Sequence, residues 1–404
     1  MKGKRIITVI ILFIFFLLPS NGFSAPDNTL QSRLDAVPEG GTITLSSGQY
    51  VGPVVINKSI TLKGEKGAQL IGNGTGSVLT IKGKNVTVEG LRIEKGGLNS
   101  GDGDALIRVE ADGVVLKNNH MAKGYYGIHL VRCFNSQIIG NVIEGNEQDE
   151  IADRGNGIQL TYGGNHVLKN NQIKFVQDGI YYDNTTGIQT EKNKVENSRY
   201  GYHLMFSNKI SLLQNRTFNS IVGTMVMDAV DVQIKSNVFQ GQRDPRGYGL
   251  FIYETKDCEI ENNILADNTN GMAFDGAMNT LISNNKVFGN DMGVKRVGDV
   301  IDSHFTGNAF IANVRQVGGK KAWPEEVWHK DQKGNFWDDY QGVDLNQDGV
   351  GDSPYRMADA MLRLMDLDPI LSIFYGSPVQ QLLEWIGKDQ RVIDPYPLQI
   401  SSTK

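Results

Sequence analysis

Nine asparagines recur along the chain at intervals of 22, 30, 22, 22, 22, 26, 22 and 23 residues. Eight glycines recur in step with them, at intervals of 30, 22, 22, 22, 26, 22 and 22 residues. A fixed period in this range is typical of a solenoid, in which each repeat packs on its neighbours. The asparagines are Asn119, Asn141, Asn171, Asn193, Asn215, Asn237, Asn263, Asn285 and Asn308. The glycines are Gly127, Gly157, Gly179, Gly201, Gly223, Gly249, Gly271 and Gly293.

Each repeat alternates apolar, often β-branched residues with polar ones over short runs, a pattern of strands and not of helices. The sequence therefore predicts an all-β fold, a parallel β-helix with coils of about 22 residues. Asn and Gly are expected at the corners because both tolerate left-handed backbone angles, and stacked Asn amides can also bond from coil to coil. Both ladders contain one interval of 30 residues and one of 26, which exceed the 22-residue period by eight and four. These two insertions are therefore predicted to be loops at one corner.

The N-terminus has the pattern of an export signal. Three basic residues among the first five precede a thirteen-residue run from Ile6 to Leu18 that is apolar except for Thr8. Such a run is too short to span a bilayer but suits a signal peptide. Residues 1–24 are therefore predicted to be cleaved after Ser24, which leaves an exported, periplasmic or otherwise extracytoplasmic, protein.

The charge and cysteine content of the mature chain exclude some classes of partner. Removing Lys2, Lys4 and Arg5 from the 40 basic residues leaves 37 against 45 acidic ones, a net charge of −8. This balance argues against nucleic acid as a partner. The two cysteines, Cys133 and Cys258, lie five coils apart, about 24 Å at ~4.8 Å per coil, which is too far for a disulfide. Both are predicted to be buried free thiols.

Residues 25–318 are predicted to form the β-helix, with an N-terminal cap around residues 28–37. The Asn ladder is expected to stop near Gly319, and all four tryptophans lie beyond it. Residues 319–404 are therefore predicted to form a small C-terminal module or cap, partly α-helical and partly irregular.

Strand periodicity identifies the side chains that face out from the glycine-containing strands. Residues one and three positions after each ladder glycine are mostly apolar and predicted to face the interior, so those two and four positions after it face outward. His203 and Met205 share one coil, and Met225 and Met227 occupy the same positions on the next. We call these four residues the soft-ligand square. Thioethers and imidazole favour Cu(I), whereas exposed Met and aromatic clusters also mark protein docking surfaces. The aromatic neighbours predicted to contact a partner are Tyr181, Phe251 and Tyr253.

A second candidate metal site follows the tryptophan-rich segment. Oxygen-bearing side chains occupy positions 1, 3, 5 and 9 of a loop with Gly349 at position 6, as in the first part of a calcium-binding loop, but Tyr355 stands where the bidentate Glu is expected. The alternative is an Asp- and Gly-rich turn that hydrogen-bonds to its own backbone. The candidate ligands for a structural calcium ion are Asp344, Asn346, Asp348 and Asp352.

The C-terminal segment carries apolar residues in excess of what a cap needs. Ser377 is a good N-cap and Pro378 a good first helical residue, which predicts a short helix from about Pro378 to Ile386. This segment either contacts a transporter or the membrane surface, or plugs the open end of the last coil. Truncation after Asp368 leaves the coils folded in the first case and unfolds them in the second. The candidate contact residues are Phe374, Leu382, Leu383 and Trp385.

Many β-helices cleave or modify polysaccharides, a chemistry that needs paired carboxylates within about 5 to 10 Å. The outward-facing Asp183 and Asp275 lie four coils apart, about 19 Å at the strand spacing, so they cannot act as a pair. A polysaccharide-binding or polysaccharide-modifying protein, such as a lyase or an epimerase, remains the alternative.

Two stretches resemble the NosD family of nitrous oxide reductase maturation proteins. Residues 199–207, RYGYHLMFS, resemble that family's R-Y-G-x-H-x-M-x-S rung, and Gly334 to Tyr340 with Asp344 to Asp352 resembles its second hallmark. The resemblance covers almost the whole mature chain. It implies a right-handed β-helix that is not an enzyme. It also implies an exported protein that works with an ABC transporter, a permease with its ATPase, and with a copper chaperone, to assemble the copper–sulfur centre of nitrous oxide reductase.

Overall fold

The structure, a computed structural model, describes residues 29–319, 323–358, 364, 368–374, 377–379, 382 and 390–399. The predicted signal peptide, residues 1–24, lies outside the described residues. Within them, no helix is long and apolar enough to cross a membrane.

The chain forms a right-handed parallel β-helix of about 13 turns, as the sequence predicts. Each coil runs through three faces in order, face 1, face 2 and face 3. Faces 1 and 2 join in a 24-stranded sheet and face 3 is a 13-stranded sheet. Face 1 is the face on which the glycine ladder lies. The strands of face 1 are Val54–Ile56, Leu79–Ile81, Ala105–Val109, Tyr126–Phe134, Ile158–Gly164, Asp178–Thr186, Tyr200–Met205, Val222–Met227, Tyr248–Glu261, Asn270–Met278, Met292–Arg296 and Arg315–Gly319.

The strand Tyr248–Glu261 continues from face 1 into face 2 without a break. The other strands of face 2 are Thr42–Leu45, Thr61–Gly64, Thr87–Glu89, Val115–Lys117, Gln137–Ile139, Val167–Lys169, Gln189–Glu191, Asn208–Leu213, Val230–Lys235, Leu281–Ser283, Val300–Ile301 and His304–Thr306. The strands of face 3 are Gly48–Val51, Ala68–Ile71, Arg92–Glu94, His120–Ala122, Val142–Glu144, Gln172–Lys174, Lys194–Glu196, Arg216–Phe218, Val238–Gln240, Ile264–Ala266, Lys286–Phe288, Ala309–Ile311 and Phe336–Trp337.

The N-terminal end of the helix is covered by one α-helix, Leu30–Ala36. Thr29 caps it by accepting a hydrogen bond from the Ser32 backbone N–H at 3.3 Å. Leu30 and Leu34 are buried and join the core of the first coils. The helix therefore lies where the sequence predicts a cap.

The interior of face 1 is made of the residues predicted for it. All side chains one and three positions after a ladder glycine are buried, including the large Tyr182, Tyr202 and Phe274. The parallel register joins equivalent positions in neighbouring coils, so that each interior row runs continuously along the axis. Period two in the sequence thus sets which side chains form the core.

The ladder asparagines form a continuous hydrogen-bonded column inside one corner. Asn215 is typical: its amide nitrogen donates to the Thr190 carbonyl at 2.8 Å and to Asn237 Oδ1 at 3.1 Å. Its oxygen accepts from the Asn193 backbone N–H at 2.9 Å and from the Asn193 amide at 3.1 Å. Each asparagine therefore satisfies buried backbone groups at a corner where the strand ladder is interrupted.

Left-handed backbone geometry does not explain either ladder, so that expectation is wrong. None of the nine asparagines and none of the eight glycines has a positive φ. The residue immediately before each asparagine has it instead, as in Gln214 with φ of 55° before Asn215. That neighbouring residue makes the turn, and the asparagine serves the column because its amide donates in one direction along it and accepts in the other.

The glycine ladder has a steric cause. A Cβ on Gly201 would lie 2.5 Å from the Gly223 carbonyl oxygen, and a Cβ on Gly127 would lie 2.6 Å from that of Gly157. Glycine is needed because successive coils approach too closely here for any side chain.

Both insertions lie at the corner between face 3 and face 1, as predicted. The longer one separates Val142–Glu144 from Ile158–Gly164 and contains the 3-10 helix Ile151–Asp153, and the shorter one precedes Tyr248–Glu261. Cys133 and Cys258 are buried free cysteines, also as predicted. Burial raises the pKa of the Cys133 thiol to about 12 and that of Cys258 to about 11.

The Asn ladder does not stop near Gly319, contrary to expectation. After a 27-residue interval, Asn335 accepts from the Asn308 amide at 2.8 Å and from the Asn308 backbone N–H at 3.1 Å. The following strand, Phe336–Trp337, adds a thirteenth strand to face 3. The ladder continues because the chain returns to the corner after the excursion that contains the 3-10 helix Glu325–Trp328.

Three tryptophans cover the C-terminal end of the interior. Trp323, Trp328 and Trp337 are buried, and Trp337 stacks between Phe310 and Tyr355 with ring centroids 4.5 and 4.4 Å away. Two strands that follow Trp337 in the chain also lie at this end. The strand Gln390–Asp394 pairs antiparallel with Tyr355–Ala358 and buries Val392 and Asp394. For residues 390–394, these contacts favour the alternative in which the C-terminal segment plugs the open end of the last coil.

Candidate metal-binding face

The soft-ligand square lies on two neighbouring strands of face 1, Tyr200–Met205 and Val222–Met227. Their parallel register pairs His203 with Met225 and Met205 with Met227, so the four residues occupy adjacent positions in adjacent coils, at a strand spacing of about 4.8 Å. The three methionines are half-buried, and His203 is 7% exposed. The square is therefore less exposed than the sequence suggests.

The imidazole of His203 is held on three sides. Its Nδ1 lies 2.8 Å from Asp178 Oδ2, on the preceding coil. The rings of Tyr181 and Tyr200 lie 4.5 and 4.8 Å from the imidazole, centroid to centroid. Its Nε2 is buried and has no hydrogen-bond partner in the described part of the chain.

Asp178 is fully buried and pairs with a guanidinium. Arg199 donates to its two oxygens, from Nε at 2.9 Å and from Nη2 at 2.7 Å. Burial is the largest influence on the Asp178 carboxyl and opposes ionisation, but hydrogen bonds from His203 and Arg199 outweigh it and hold the pKa of Asp178 below its ordinary value. Asp178 is therefore an anion that can only accept hydrogen bonds.

Met205 has a polar neighbour across the strands. The Tyr181 hydroxyl donates to the Met205 Sδ at 3.0 Å. Burial, with smaller contributions from Asp183 and Asp178, raises the pKa of Tyr181 to about 12, so its hydroxyl keeps its proton. A thioether has a second lone pair and remains able to bind a soft cation.

The residues of the RYGYHLMFS rung have distinct structural roles. Arg199 binds Asp178, Gly201 allows the close approach of the coils, and Tyr202 and Leu204 lie in the core. Ser207 closes the turn after the strand, because its hydroxyl accepts from the Thr185 backbone N–H at 3.1 Å. Tyr200 packs against His203. His203 and Met205 are the two residues of the rung whose side chains carry donor atoms suited to a soft metal ion.

The predicted aromatic contact residues surround the square. Tyr181 precedes His203 in the same row of face 1, and Phe251 and Tyr253 follow Met225 and Met227. All three are half-buried. The register thus places aromatic side chains on both sides of the square along the helix axis.

The candidate calcium loop is hydrogen-bonded to itself. Asp344 accepts from the backbone N–H of Asp348 at 3.2 Å and of Gly349 at 2.9 Å, and Asp352 accepts from that of Leu345 at 2.8 Å. Asn346 Oδ1 also accepts from the Asp348 N–H, at 3.0 Å. Across all the described residues, no three His, Cys, Asp or Glu side chains are grouped so that they could hold a metal ion. These contacts are the ones expected of the alternative, an Asp- and Gly-rich turn that hydrogen-bonds to its own backbone.

A chelator titration distinguishes the two interpretations of this loop. Because its side chains already bond its own backbone, we expect EGTA to leave the melting temperature of the purified protein unchanged. The measurement is a thermal melt followed by circular dichroism, with and without chelator. A fall in melting temperature that Asp348→Ala removes would contradict this expectation and establish the calcium site.

The candidate contact residues of the C-terminal segment are only partly described. Phe374 ends the 3-10 helix Pro369–Phe374 and is 40% exposed, and Leu382 is 55% exposed. Leu383 and Trp385 lie outside the described residues, as does most of the predicted helix from Pro378 to Ile386.

Comparison with known proteins decides the family. Residues 139–342 match the family model of the periplasmic copper-binding protein NosD, and residues 39–174 match a model of the right-handed β-helix region. The chain is 31% identical over 399 residues to the probable ABC transporter binding protein NosD of Pseudomonas aeruginosa, with 89% of this chain and 88% of that protein aligned. The chain belongs to the NosD family. A NosD protein of Stutzerimonas stutzeri, with the same description, is also 31% identical, over 88% of this chain and 86% of its own.

Solved structures similar to this NosD family member share its fold. The surface adhesin PfbA of Streptococcus pneumoniae superposes with a TM-score of 0.57 at 14% identity, over 70% of this chain and 87% of that one. The periplasmic alginate epimerase AlgG superposes with a TM-score of 0.51 at 14% identity, over 72% and 83% of the two chains. At this level of identity the similarity concerns the β-helix alone.

Two residues around His203 were missed at the sequence level. Asp178 immediately precedes ladder Gly179, and Arg199 lies in the rung that resembles the family, but no role was assigned to either. The sequence did contain a signal. Asp178 stands directly before a ladder glycine, and the residues at the equivalent position of other coils, such as Tyr126, Asn156, Tyr200 and Val222, are uncharged. The repeat places that position beside the next coil's strand, within reach of His203.

Proposed function

We propose that this NosD family member is an exported accessory protein for assembly of the copper–sulfur centre of nitrous oxide reductase. It is not itself a catalyst. In this proposal, Cu(I) is a cargo that the protein receives from a copper chaperone and passes on, and an ABC transporter, with its permease and ATPase, is the machine on which it works. The family's description as periplasmic and copper-binding supports the proposal, as does the description of its relatives as ABC transporter binding proteins.

The observation that carries the metal part of the proposal is the unpartnered Nε2 of His203. A buried imidazole nitrogen without a hydrogen bond needs an explanation. The described residues contain three others, in His120, His166 and His329, and of the four, His203 has a methionine as its neighbour in the strand register. Met225 lies beside His203 in the next coil, and Met205 and Met227 follow two positions along the same strands. An imidazole with two or three thioethers is a ligand set that favours Cu(I) over hard cations.

The position of the square suits transfer of the ion. Its ligands lie on strands in the middle of the helix, which fix their spacing, and the thioethers are half-buried and so accessible from one side. A partner can replace a few weak soft ligands one at a time without opening the fold. Tyr181, Phe251 and Tyr253 then supply apolar contact area for the donor or acceptor protein.

The C-terminal segment supplies the second contact in this proposal. Phe374 and Leu382 are exposed apolar residues outside the core of the coils. Such residues are typical of a docking surface, so we assign them to contact with the transporter permease or the adjacent membrane surface.

The metal part is tested by replacing Met205 and Met227 together with leucine. Leucine keeps the apolar volume and removes both sulfurs. We expect the Cu(I) dissociation constant, measured by competition with a chromophoric chelator, to rise at least about a hundredfold, because a ligand worth about 1.4 kcal/mol changes it tenfold. Accumulation of reductase without its copper–sulfur centre is expected in cells that carry this variant.

The matched control is Met278→Leu, which removes a sulfur from a position 40% exposed at the end of strand Asn270–Met278. It should bind Cu(I) as the parent does. If the double variant keeps the parent's Cu(I) affinity and still matures active reductase, the square is a docking surface only.

A further inference from the structure

His203 differs from the other histidine on the outer row of face 1. His129 occupies the equivalent position at the first ladder glycine, is also more than nine-tenths buried, and packs on Tyr126 with ring centroids 4.9 Å apart. Its Nε2 lies 3.2 Å from Thr161 Oγ1 and its Nδ1 lies 3.4 Å from the Gly103 carbonyl oxygen. Both nitrogens of His129 therefore have partners, whereas His203 has one only at Nδ1.

Asp178, the partner of His203, is itself fixed by two other residues. The Asp178 backbone N–H donates to Asn156 Oδ1 at 3.0 Å, which anchors this residue to the preceding coil. Arg199 donates hydrogen bonds to both carboxylate oxygens of Asp178, and its guanidinium lies over the Tyr200 ring, 4.5 Å from the centroid. A planar bidentate pair stacked on an aromatic ring has little freedom to rotate.

We propose that Asp178 and Arg199 are a positioning pair that fixes the tautomer of His203, so that its Nε2 presents a lone pair to Cu(I). The inference rests on the proposed copper-carrying function. It goes beyond that function by assigning roles to two residues that do not touch the ion.

The chemistry of the contact fixes the tautomer. An ionised carboxylate has no proton to donate, so the hydrogen bond between Asp178 Oδ2 and His203 Nδ1 requires the proton on Nδ1. In the neutral ring Nε2 then carries the lone pair, which is the form that binds a metal ion. The same arrangement explains why Nε2 has no donor or acceptor against it, because a lone pair directed at a cation site needs no protein partner.

Arg199 is needed to hold the carboxylate in place. It donates to both oxygens of Asp178, from Nε at 2.9 Å and from Nη2 at 2.7 Å, so the carboxylate plane cannot turn away from His203 Nδ1. Arg199 therefore acts on the imidazole through Asp178. An ion pair that only joined the two coils would have no effect on which imidazole nitrogen carries the proton.

The first measurement is made without copper. Protein labelled with ¹⁵N in its histidines is examined by NMR of the ring nitrogens at about pH 8.5, where an ordinary histidine is neutral. We expect parent His203 to be protonated on Nδ1. Asp178→Asn is expected to shift His203 to a mixture of tautomers or to the Nε2–H form, because an amide can donate to Nδ1. His129, which Asp178 does not touch, should be unchanged and serves as the internal reference.

The second measurement is Cu(I) affinity of the same variants by chelator competition. We expect Asp178→Asn to weaken binding about 10- to 100-fold, as for other residues that orient metal ligands. Arg199→Lys keeps the charge but loses the bidentate contact, so it should change tautomer and affinity in the same direction by less. The matched control is Asp183→Asn, which alters an outward carboxylate beside Met205 that makes no contact with His203, and it should alter neither.

The outcomes separate the inference from the function it rests on. An Nε2–H tautomer in the parent, or an Asp178→Asn variant with unchanged tautomer and affinity, would overturn the positioning role even if the parent binds Cu(I) tightly. A parent with the Nδ1–H tautomer that binds no Cu(I) would overturn the copper-carrying function instead. Asp178→Asn is nearly isosteric, and the parent's tautomer tests the inference even if that variant fails to fold.

Discussion

Replacing Asn215 with aspartate is expected to lower the free energy of unfolding by about 3–5 kcal/mol, since it leaves an uncompensated charge in a buried network. Asn215 is inaccessible to solvent. Aspartate keeps the oxygen that accepts from Asn193 but loses both bonds that the amide donates, to the Thr190 carbonyl and to Asn237 Oδ1. In the variant, a carboxylate oxygen faces the Thr190 carbonyl oxygen and Asn237 Oδ1, neither of which can donate to it. The carboxylate also has no cation beside it.

Urea denaturation followed by far-UV circular dichroism measures the effect. The matched control is Asn219→Asp, an exposed corner residue with φ of 51°. Aspartate tolerates that backbone conformation, so the control should stay within about 0.5 kcal/mol of the parent. Equal midpoints for the two variants would mean that the asparagine column contributes little to stability and that the strands alone hold the coils together.

The second large effect is expected from Asp394→Ala. Asp394 Oδ2 accepts from the Asn335 backbone N–H at 2.7 Å and from Trp337 Nε1 at 3.0 Å, and Oδ1 accepts from the Tyr396 N–H at 3.0 Å. It thus terminates the asparagine column from a position 59 residues further along the chain. Alanine leaves these buried donors without acceptors, which costs about 1–3 kcal/mol for each group that water cannot reach.

In the Asp394→Ala variant, we expect the C-terminal end of the β-helix to unfold before the rest. Because Trp323, Trp328 and Trp337 are buried together there, tryptophan emission should shift to longer wavelength at a lower urea concentration than the loss of β-structure. Asp368→Ala, which removes only an exposed turn contact to the Ile370 N–H, is the matched control. A single coincident transition at the parent's midpoint would contradict a capping role for residues 390–394.

This capping role changes what a truncation can reveal. Removing everything after Asp368 deletes Asp394 and Val392 together with the exposed Phe374 and Leu382, so it perturbs the end of the helix and the candidate docking residues at once. Replacing Phe374 and Leu382 by serine separates the two roles, since neither residue is in the buried core.

The coils themselves were predictable because their chemistry is local and repeats. A strand with period two has only two sides, so the ladder glycines were sufficient to assign Ile180 and Tyr182 to the core and Tyr181 and Asp183 to the outer row. The same count fixed the register that pairs His203 with Met225. A repeat converts a one-dimensional spacing into a three-dimensional neighbour relation, because equivalent positions stack directly.

The errors have two sources. The backbone turn is made by the residue before each ladder asparagine, and six of these nine residues are Asn or Gly, but the left-handed backbone angle was assigned to the ladder residues themselves. The other errors concern residues that depart from the period. Asn335 was missed because 27 residues separate it from Asn308. Its contact with Asp394 spans 59 residues and follows no period.

Within the candidate site, sequence predicted which residues share a row but not how their side chains are oriented. His203 was assigned to an exposed patch, and the structure shows it enclosed by Tyr181, Tyr200 and Asp178. Enclosure depends on side-chain packing between neighbouring coils, and strand alternation gives no information about it. The bond from Tyr181 to Met205 was unpredictable for the same reason.

The two buried cysteines bear on how this protein withstands oxidation. With thiol pKa values raised to about 12 and about 11, Cys133 and Cys258 hold almost no thiolate at neutral pH, so they neither cross-link copies of the chain nor compete for a soft ion. The sulfur open to peroxide is then the thioether sulfur of half-buried residues such as Met205 and Met227. One added oxygen turns such a soft donor into a sulfoxide, so chemical repair by sulfoxide reduction, and not disulfide exchange, is the reaction that would restore this face.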